Sequence, residues 1–141
     1  MMRMNKRTII YKNVKSGSYL VQSYTMGPVA ASEFGEPTAI QSNEFSTRLA
    51  DAVIQSLERF GKEPYDKNGA VIRDDKEQRE FLADHLGVSV SQQESGELKV
   101  YALHREGGGM VSSQQDTFIL SKEEIPRKLS ATIAEAFRRA T

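Results

Sequence analysis

Cysteine is absent from the 141 residues, which removes disulfides, thiolate metal sites and thiol nucleophiles together. Its absence suits a reducing compartment. Net charge is lacking too. The 19 basic residues balance 19 acidic ones, so no overall field steers the chain onto nucleic acid or anionic lipid, although local patches stay open. No apolar run approaches the length of a membrane span, and the basic start MMRMNKRTIIYKN has no stretch that reads as a signal peptide. These absences predict a cytoplasmic protein with no membrane partner. Histidine occurs only at His85 and His104, without HxH, HxxxH or HxxE company, whereas a metal site needs several convergent ligands. Both read as solvated or capping side chains, and neither a metal nor a cofactor is expected. No serine sits in a GxSxG elbow. Gly107-Gly108-Gly109 lies between strand-like stretches with no GKS or GKT after it, so it reads as a turn rather than a phosphate cradle. With no catalytic residues visible, a non-enzymatic protein is expected.

What is present suits a soluble globular chain with one core: 38% hydrophobic and 27% charged residues. One pattern occurs twice. TAIQSNEFSTRLADAVIQSLERF, from Thr38 to Phe60, is echoed by TFILSKEEIPRKLSATIAEAFRRA, from Thr117 to Ala140. Thr38, Ile40, Ser42, Glu44 and Arg48 meet Thr117, Ile119, Ser121, Glu123 and Arg127 at one offset. One residue further on, the ridge Phe45, Leu49, Val53, Leu57 falls on Ile125, Leu129, Ile133, Phe137. Upstream, Gly17 meets Gly96 and Val21 meets Val100. A fixed-offset repeat of this kind predicts a duplicated unit.

Taken in order, Thr8 to Lys12 and Ser18 to Thr25 read as two strands joined at Lys15-Ser16-Gly17. The second places Tyr19, Val21 and Ser23 on one face of a partly exposed sheet. Met26-Gly27-Pro28, a weak segment Val29 to Phe34, and Gly35-Glu36-Pro37 lead to a short strand, Thr38 to Gln41. A helix capped by Ser42 or Asn43 follows, running to about Phe60 and stopped by Gly61. A polar link, Lys62 to Ala70, precedes a second helix capped by Asp74 or Asp75, running through Leu86 and ended by Gly87. Its apolar side is narrow (Phe81, Leu82, Leu86), which predicts a surface insertion. Val88 to Gln92 reads as an exposed strand and Leu98 to Arg105 as another. Met110 to Gln114 and Thr117 to Leu120 read as a third and fourth. Ser121 and Glu124 fit a capping box, while Pro126 moves the start of the last helix toward Ile125. The expected fold is α+β: one domain, 1–141, of two pseudo-repeats, 7–61 and 87–141, each of antiparallel strands closed by a helix. A linker and extra helix, 62–86, join them.

Two charge sets are candidates for binding. Asp74, Asp75, Glu77, Glu80 and Asp84 form an acidic helix face suited to a basic protein partner. Arg73, Lys76 and Arg79 lie at spacings that would give ordinary i,i+3 and i,i+4 pairs there and make the face merely solvated. Near the start, Arg3, Lys6, Arg7, Lys12 and Lys15 precede the first acid, Glu33, with Tyr11, Tyr19 and Tyr24 interleaved. Lys12, Lys15, Tyr11, Tyr19 and Tyr24 are what single-stranded nucleic acid binding on a sheet would use, although ordinary sheet aromatics explain the same residues.

The pattern TIIYKN…GSYLVQSY…PTAI…LADAVIQSLERFG, repeated as LKVYALHR…DTFILS…KLSATIAEAFRRA, resembles one family of bacterial contact-dependent growth inhibition immunity proteins over nearly the whole chain. The resemblance implies a cytoplasmic protein that binds the C-terminal toxin domain of a surface effector, expected to be a nuclease, and occludes its active site. It carries over no contact residue. The order of elements is also similar to the Whirly fold, whose members bind single-stranded DNA. The lysine-glycine-lysine motif of the plant Whirly proteins is absent here, which weakens that transfer.

Overall fold

Strands form where branched and aromatic residues alternate, and the computed structural model, which describes residues 5–27, 30–62 and 64–141, sets seven of them in one antiparallel sheet. They are β1 (Lys6–Asn13), β2 (Tyr19–Met26), β3 (Ala31–Glu33), β4 (Thr38–Ile40), β5 (His85–Gln92), β6 (Leu98–Glu106) and β7 (Gly109–Leu120). The helices are α1 (Phe45–Arg59), α2 (Asp75–Asp84) and α3 (Ile125–Arg139). The fold is therefore α+β. Strand order is β3-β2-β1-β5-β6-β7, and β4 pairs with β2 beyond β3 along the same edge. Outward from the central β1–β5 pair the order is alike on both sides: β2 with β3 and β4 on one, β6 with β7 on the other.

Strand periodicity gives the sheet two faces. Thr8, Ile10, Val21, Val88, Val90 and Val100 point to one face, where Leu49, Val53 and Leu57 of α1 and Leu129, Ile133 and Phe137 of α3 cover them. Each such large side chain contributes on the order of 1.5–3 kcal/mol by leaving water. The second face carries Ile9, Tyr11 and Leu103, packed against Phe81 of α2 and against Tyr24, Tyr101 and Met110.

Several expectations change in detail. Ser42 and Asn43 are not the cap of α1. They lie in a 3-10 turn, Ser42–Glu44, where Glu44 Oε1 accepts the Gln41 N–H at 3.0 Å. A like contact precedes α3, which begins at Ile125: Glu124 Oε1 accepts the Ser121 N–H at 3.0 Å, so Glu124, not the expected Glu123, is the counterpart of Glu44. Gly61 does stop α1, with φ +77° just past Phe60. Gly87 does not stop α2, which ends at Asp84. From His85 the chain pairs with β1 for eight residues, Asn13 opposite His85 and Tyr11 opposite Gly87. Gly87 is a close-approach glycine, since a Cβ there would come within 2.6 Å of Met110 Sδ. The strand expected to be exposed, Val88 to Gln92, is central, because the second face is covered. The third and fourth strands of the second half are one strand, β7, with a bulge against β6 between Tyr101 and Leu103. Pro28 and Val29 of the weak segment lie outside the described residues, as does Arg3 of the basic set.

Candidate functional site

Helix α2 and the sheet face beneath it hold most of the polar chemistry. Asp74 caps the helix, its Oδ1 accepting the Glu77 N–H at 2.8 Å, and Asp75 and Glu77 in the first turn suit the helix dipole. The inward side of α2 is fastened at several points. The Phe81 ring meets Tyr11 edge-on at 4.7 Å and stacks on His85 at 4.0 Å. Arg73, just before the helix, lies over Phe81 with its guanidinium carbon 3.9 Å from the ring centre, and its Nη1 is 3.5 Å from Glu33 Oε2. The Tyr11 hydroxyl donates to Glu33 Oε1 at 3.0 Å. Burial first, and then the Glu33 charge, hold the Tyr11 pKa far above its ordinary value, so Tyr11 is a permanent neutral donor. At the helix end, Arg105 Nη1 donates to the Leu82 and Ala83 carbonyls at 3.0 and 3.3 Å, and Lys15 Nζ lies 3.2 Å from Asp84 Oδ1.

The outward side is different. Asp74, Asp75, Glu77 and Glu80 are exposed, while Asp84 is half-buried beside Lys15. The i,i+3 and i,i+4 pairs expected with Arg73, Lys76 and Arg79 do not form. Arg73 turns inward to Glu33, and among the described residues no ion pair joins Asp75, Glu77 or Glu80 to Lys76 or Arg79. The acidic set is thus brought together at one element, and among the described residues four of its five carboxylates pair with no cation, Asp74 serving as the helix cap.

The basic and aromatic set is not brought together. Tyr11 and Tyr24 lie on the α2 face of the sheet. Tyr19 and Lys12 lie on the other, Lys12 Nζ 5.7 Å above the Tyr19 ring and Tyr19 packed against Phe45 and Phe137 at 5.0 and 5.4 Å. Tyr11 and Tyr19 are 5% and 8% exposed, too little for a base to stack on either ring. Lys15 is spent on Asp84.

Neither histidine is a simple solvated group. His85 is buried, with Nδ1 2.7 Å from the Phe81 carbonyl oxygen. His104 is held at both ring nitrogens, Nε2 2.7 Å from Asp116 Oδ2 and Nδ1 2.8 Å from Thr141 Oγ1, with Arg139 Nη1 3.7 Å from Asp116 Oδ1. Thr141 also pairs through its backbone with Leu103 and Arg105 of β6, just past Ala102, where the register with β5 ends.

A groove of about 610 Å³ lies on the α2 side of the sheet, lined among others by Arg7, Tyr24, Gln78, Ser89, Ser91 and Tyr101. Sequence reasoning missed it. Ser89 and Ser91 alternate with Val88 and Val90, which reads as an exposed strand, and only the placement of α2 turns that face into a groove wall. Among the described residues no helix is long and apolar enough to cross a membrane.

No protein-family model matches the sequence, and no curated protein matches it. The fold is similar to that of a solved Neisseria meningitidis protein of unknown function, with a TM-score of 0.68 and 14% identity over 100% of both chains.

Proposed function

We propose that the chain is a non-enzymatic binding protein, an immunity protein that occludes the toxin domain, expected to be a nuclease, of a contact-dependent growth inhibition effector in the cytoplasm. The observation that carries this reading is the outward side of α2. Asp75, Glu77 and Glu80 are exposed and free of intramolecular cations, on a helix held to the sheet by a separate set of residues. Paired acids would offer a partner little, because an exposed ion pair already satisfies them. Free acids on a rigid helix present a field that steers a basic cleft into register. A phosphate-binding cleft is basic, so this surface is complementary to the active site of a nuclease. The nucleic acid alternative has less behind it, since its tyrosines lie on opposite faces and two of them are buried.

An internal duplication supports the same reading by marking α2 as an addition. Equivalent strand pairs recur in register: Thr8 opposite Ser23 and Val88 opposite Ala102, then Tyr19 opposite Ile40 and Leu98 opposite Leu120. The two halves need only their strands and long helices to close a core, and α2 is what the repeated unit lacks. The test is the triple reversal Asp75→Lys, Glu77→Lys and Glu80→Lys. Co-purification with the toxin domain that the wild-type protein neutralises, and protection from it, should be lost while the circular dichroism spectrum is unchanged. Full protection by the reversed protein would remove α2 as the contact.

A further inference from the structure

The groove on the sheet face is distinct from the outward acids of α2 and has its own chemistry. Its floor is apolar, made by Ile9, Leu103 and Met110. Among the described residues Arg7 is the one formally charged side chain that lines it. The Arg7 guanidinium lies 4.5 Å above the Tyr24 ring, and among the described residues no carboxylate pairs with it. An arginine stacked on a tyrosine keeps its planar fork oriented and its N–H groups available for an anion.

Ser89 is the second observation. It sits between Ile9 and Tyr101 in the sheet register, so its side chain lies on the groove face. The residue is 7% exposed, yet its hydroxyl has no hydrogen-bond partner among the described residues. Among the described residues no fully buried side-chain polar atom lacks a partner, so this hydroxyl is open to the groove, where a ligand atom can take its bond. Among the described residues the Tyr24 hydroxyl likewise has no hydrogen-bond partner. Burial, and then Glu33, push its pKa up to about 12, so it keeps its proton and offers a donor. Glu33 itself is occupied by Tyr11 and Arg73.

We propose that this groove binds a small carboxylate with an apolar or aromatic body, its anion on Arg7 with the Ser89 and Tyr24 hydroxyls as donors, and its body on Ile9, Leu103 and Met110. A single cation with neutral donors matches a monoanion, whereas a phosphate dianion would leave charge uncompensated. The volume falls within the range of small-molecule sites.

The test is a titration of isotope-labelled protein by NMR with 3-phenylpropanoate and its neutral analogue 3-phenylpropanamide. The acid should give saturable shifts at the amides of Arg7, Ser89 and Tyr101, and the amide should not. Arg7→Gln should weaken the acid about tenfold or more, as expected for a lost charged hydrogen bond. Ser89→Ala, which barely changes volume, should weaken it several-fold. N-acetyl-Gly-Phe, compared with its C-terminal amide, separates a peptide terminus from a free small molecule as the source: tighter binding than 3-phenylpropanoate assigns the terminus, weaker binding the small molecule. Equal affinity for acid and amide, undiminished binding to Arg7→Gln, or no saturation by about 10 mM acid would overturn the proposal.

Discussion

Beneath α1 lies a chain of three buried hydroxyls whose directions are set by its end. Thr8 Oγ1 donates to the Gln22 carbonyl at 2.9 Å, so its one proton is used and it can only accept from Ser56, 2.7 Å away. Ser56 therefore accepts from Ser23, whose Oγ is 2.9 Å distant. All three residues are buried, Thr8 at 0% exposure. Ser56→Ala removes the middle link. Thr8 keeps its carbonyl, but the Ser23 proton is left with no acceptor, and the cost should be about 1–3 kcal/mol. For a chain of this size each kcal/mol moves the melting temperature by about 3–4 °C, so a drop of roughly 3–12 °C is expected. In the other half of the sheet the corresponding places are taken by Val88, Ala102 and Ala136, all at 0% exposure and all apolar. The triple change Thr8→Val, Ser23→Ala, Ser56→Ala copies that solution. It removes all three hydroxyls together, leaving only the Gln22 backbone carbonyl without the Thr8 bond, and should cost less than the sum of the three single changes. Chemical denaturation of the singles and the triple measures both. If the triple costs as much as the summed singles, the hydroxyls are independent packing groups and the directional chain is wrong.

Two further outcomes follow from side chains outside that core. Glu124 accepts the Ser121 N–H, the largest cause, and pairs with Lys128, which together lower its pKa from 4.5 to about 2. A pKa lowered by folding contributes stability that is complete above about 4.5 and lost as the pH falls toward 2, so Glu124→Gln should lower the melting temperature at neutral pH and converge with wild type near pH 2. A gap that persists at pH 2 would mean the charge is not the cause. Arg73→Met leaves the mostly buried Glu33 carboxylate with only Tyr11, at a cost of about 3 kcal/mol, and should raise hydrogen exchange across α2 before the β1–β5 pair. Equal protection in both elements would show that Arg73 is not what fastens the helix.

Much of the fold was legible because the information was local. The ridge Phe45, Leu49, Val53, Leu57 and its echo Ile125, Leu129, Ile133, Phe137 have one period and one environment, and all eight meet the same core. Gly61 stops a helix because nothing but its own φ is at issue. Gly87 was misread because a glycine after a helical run looks like a stop, and the real constraint, the Met110 side chain, is distant in sequence. The acidic face was located on the right helix, but its pairing was not, because Arg73 prefers Glu33, the Tyr11 ring and the inward Phe81 ring to a neighbour one turn away. Tyr11, Tyr19 and Tyr24 looked equivalent along the chain. Odd and even positions within two paired strands decide which face each occupies, and burial then decides that Tyr19 is core. The groove was beyond reach from sequence, since its walls come from β1, β2, β5, β6, β7 and α2 at once.

Helix α2 separates two jobs at helical spacing. Arg73, Gln78, Phe81 and Leu82 turn toward the sheet and do the fastening, while Asp75, Glu77 and Glu80 turn outward and touch nothing that holds the fold. Asp74 alone does both, being exposed and also the acceptor for the Glu77 N–H, which is why the reversal test leaves it in place. Such a division lets the outward residues change with a partner while the platform persists, since exposed substitutions away from caps and pairs cost within about 0.5 kcal/mol. Asp75 and Glu77 also favour the helix dipole, so the triple reversal of Asp75, Glu77 and Glu80 adds a cost of about 1–2 kcal/mol, a melting change of roughly 3–8 °C with the fold intact. A larger loss would mean that the outward acids belong to the scaffold, and the argument that they are free for a partner would fall with it.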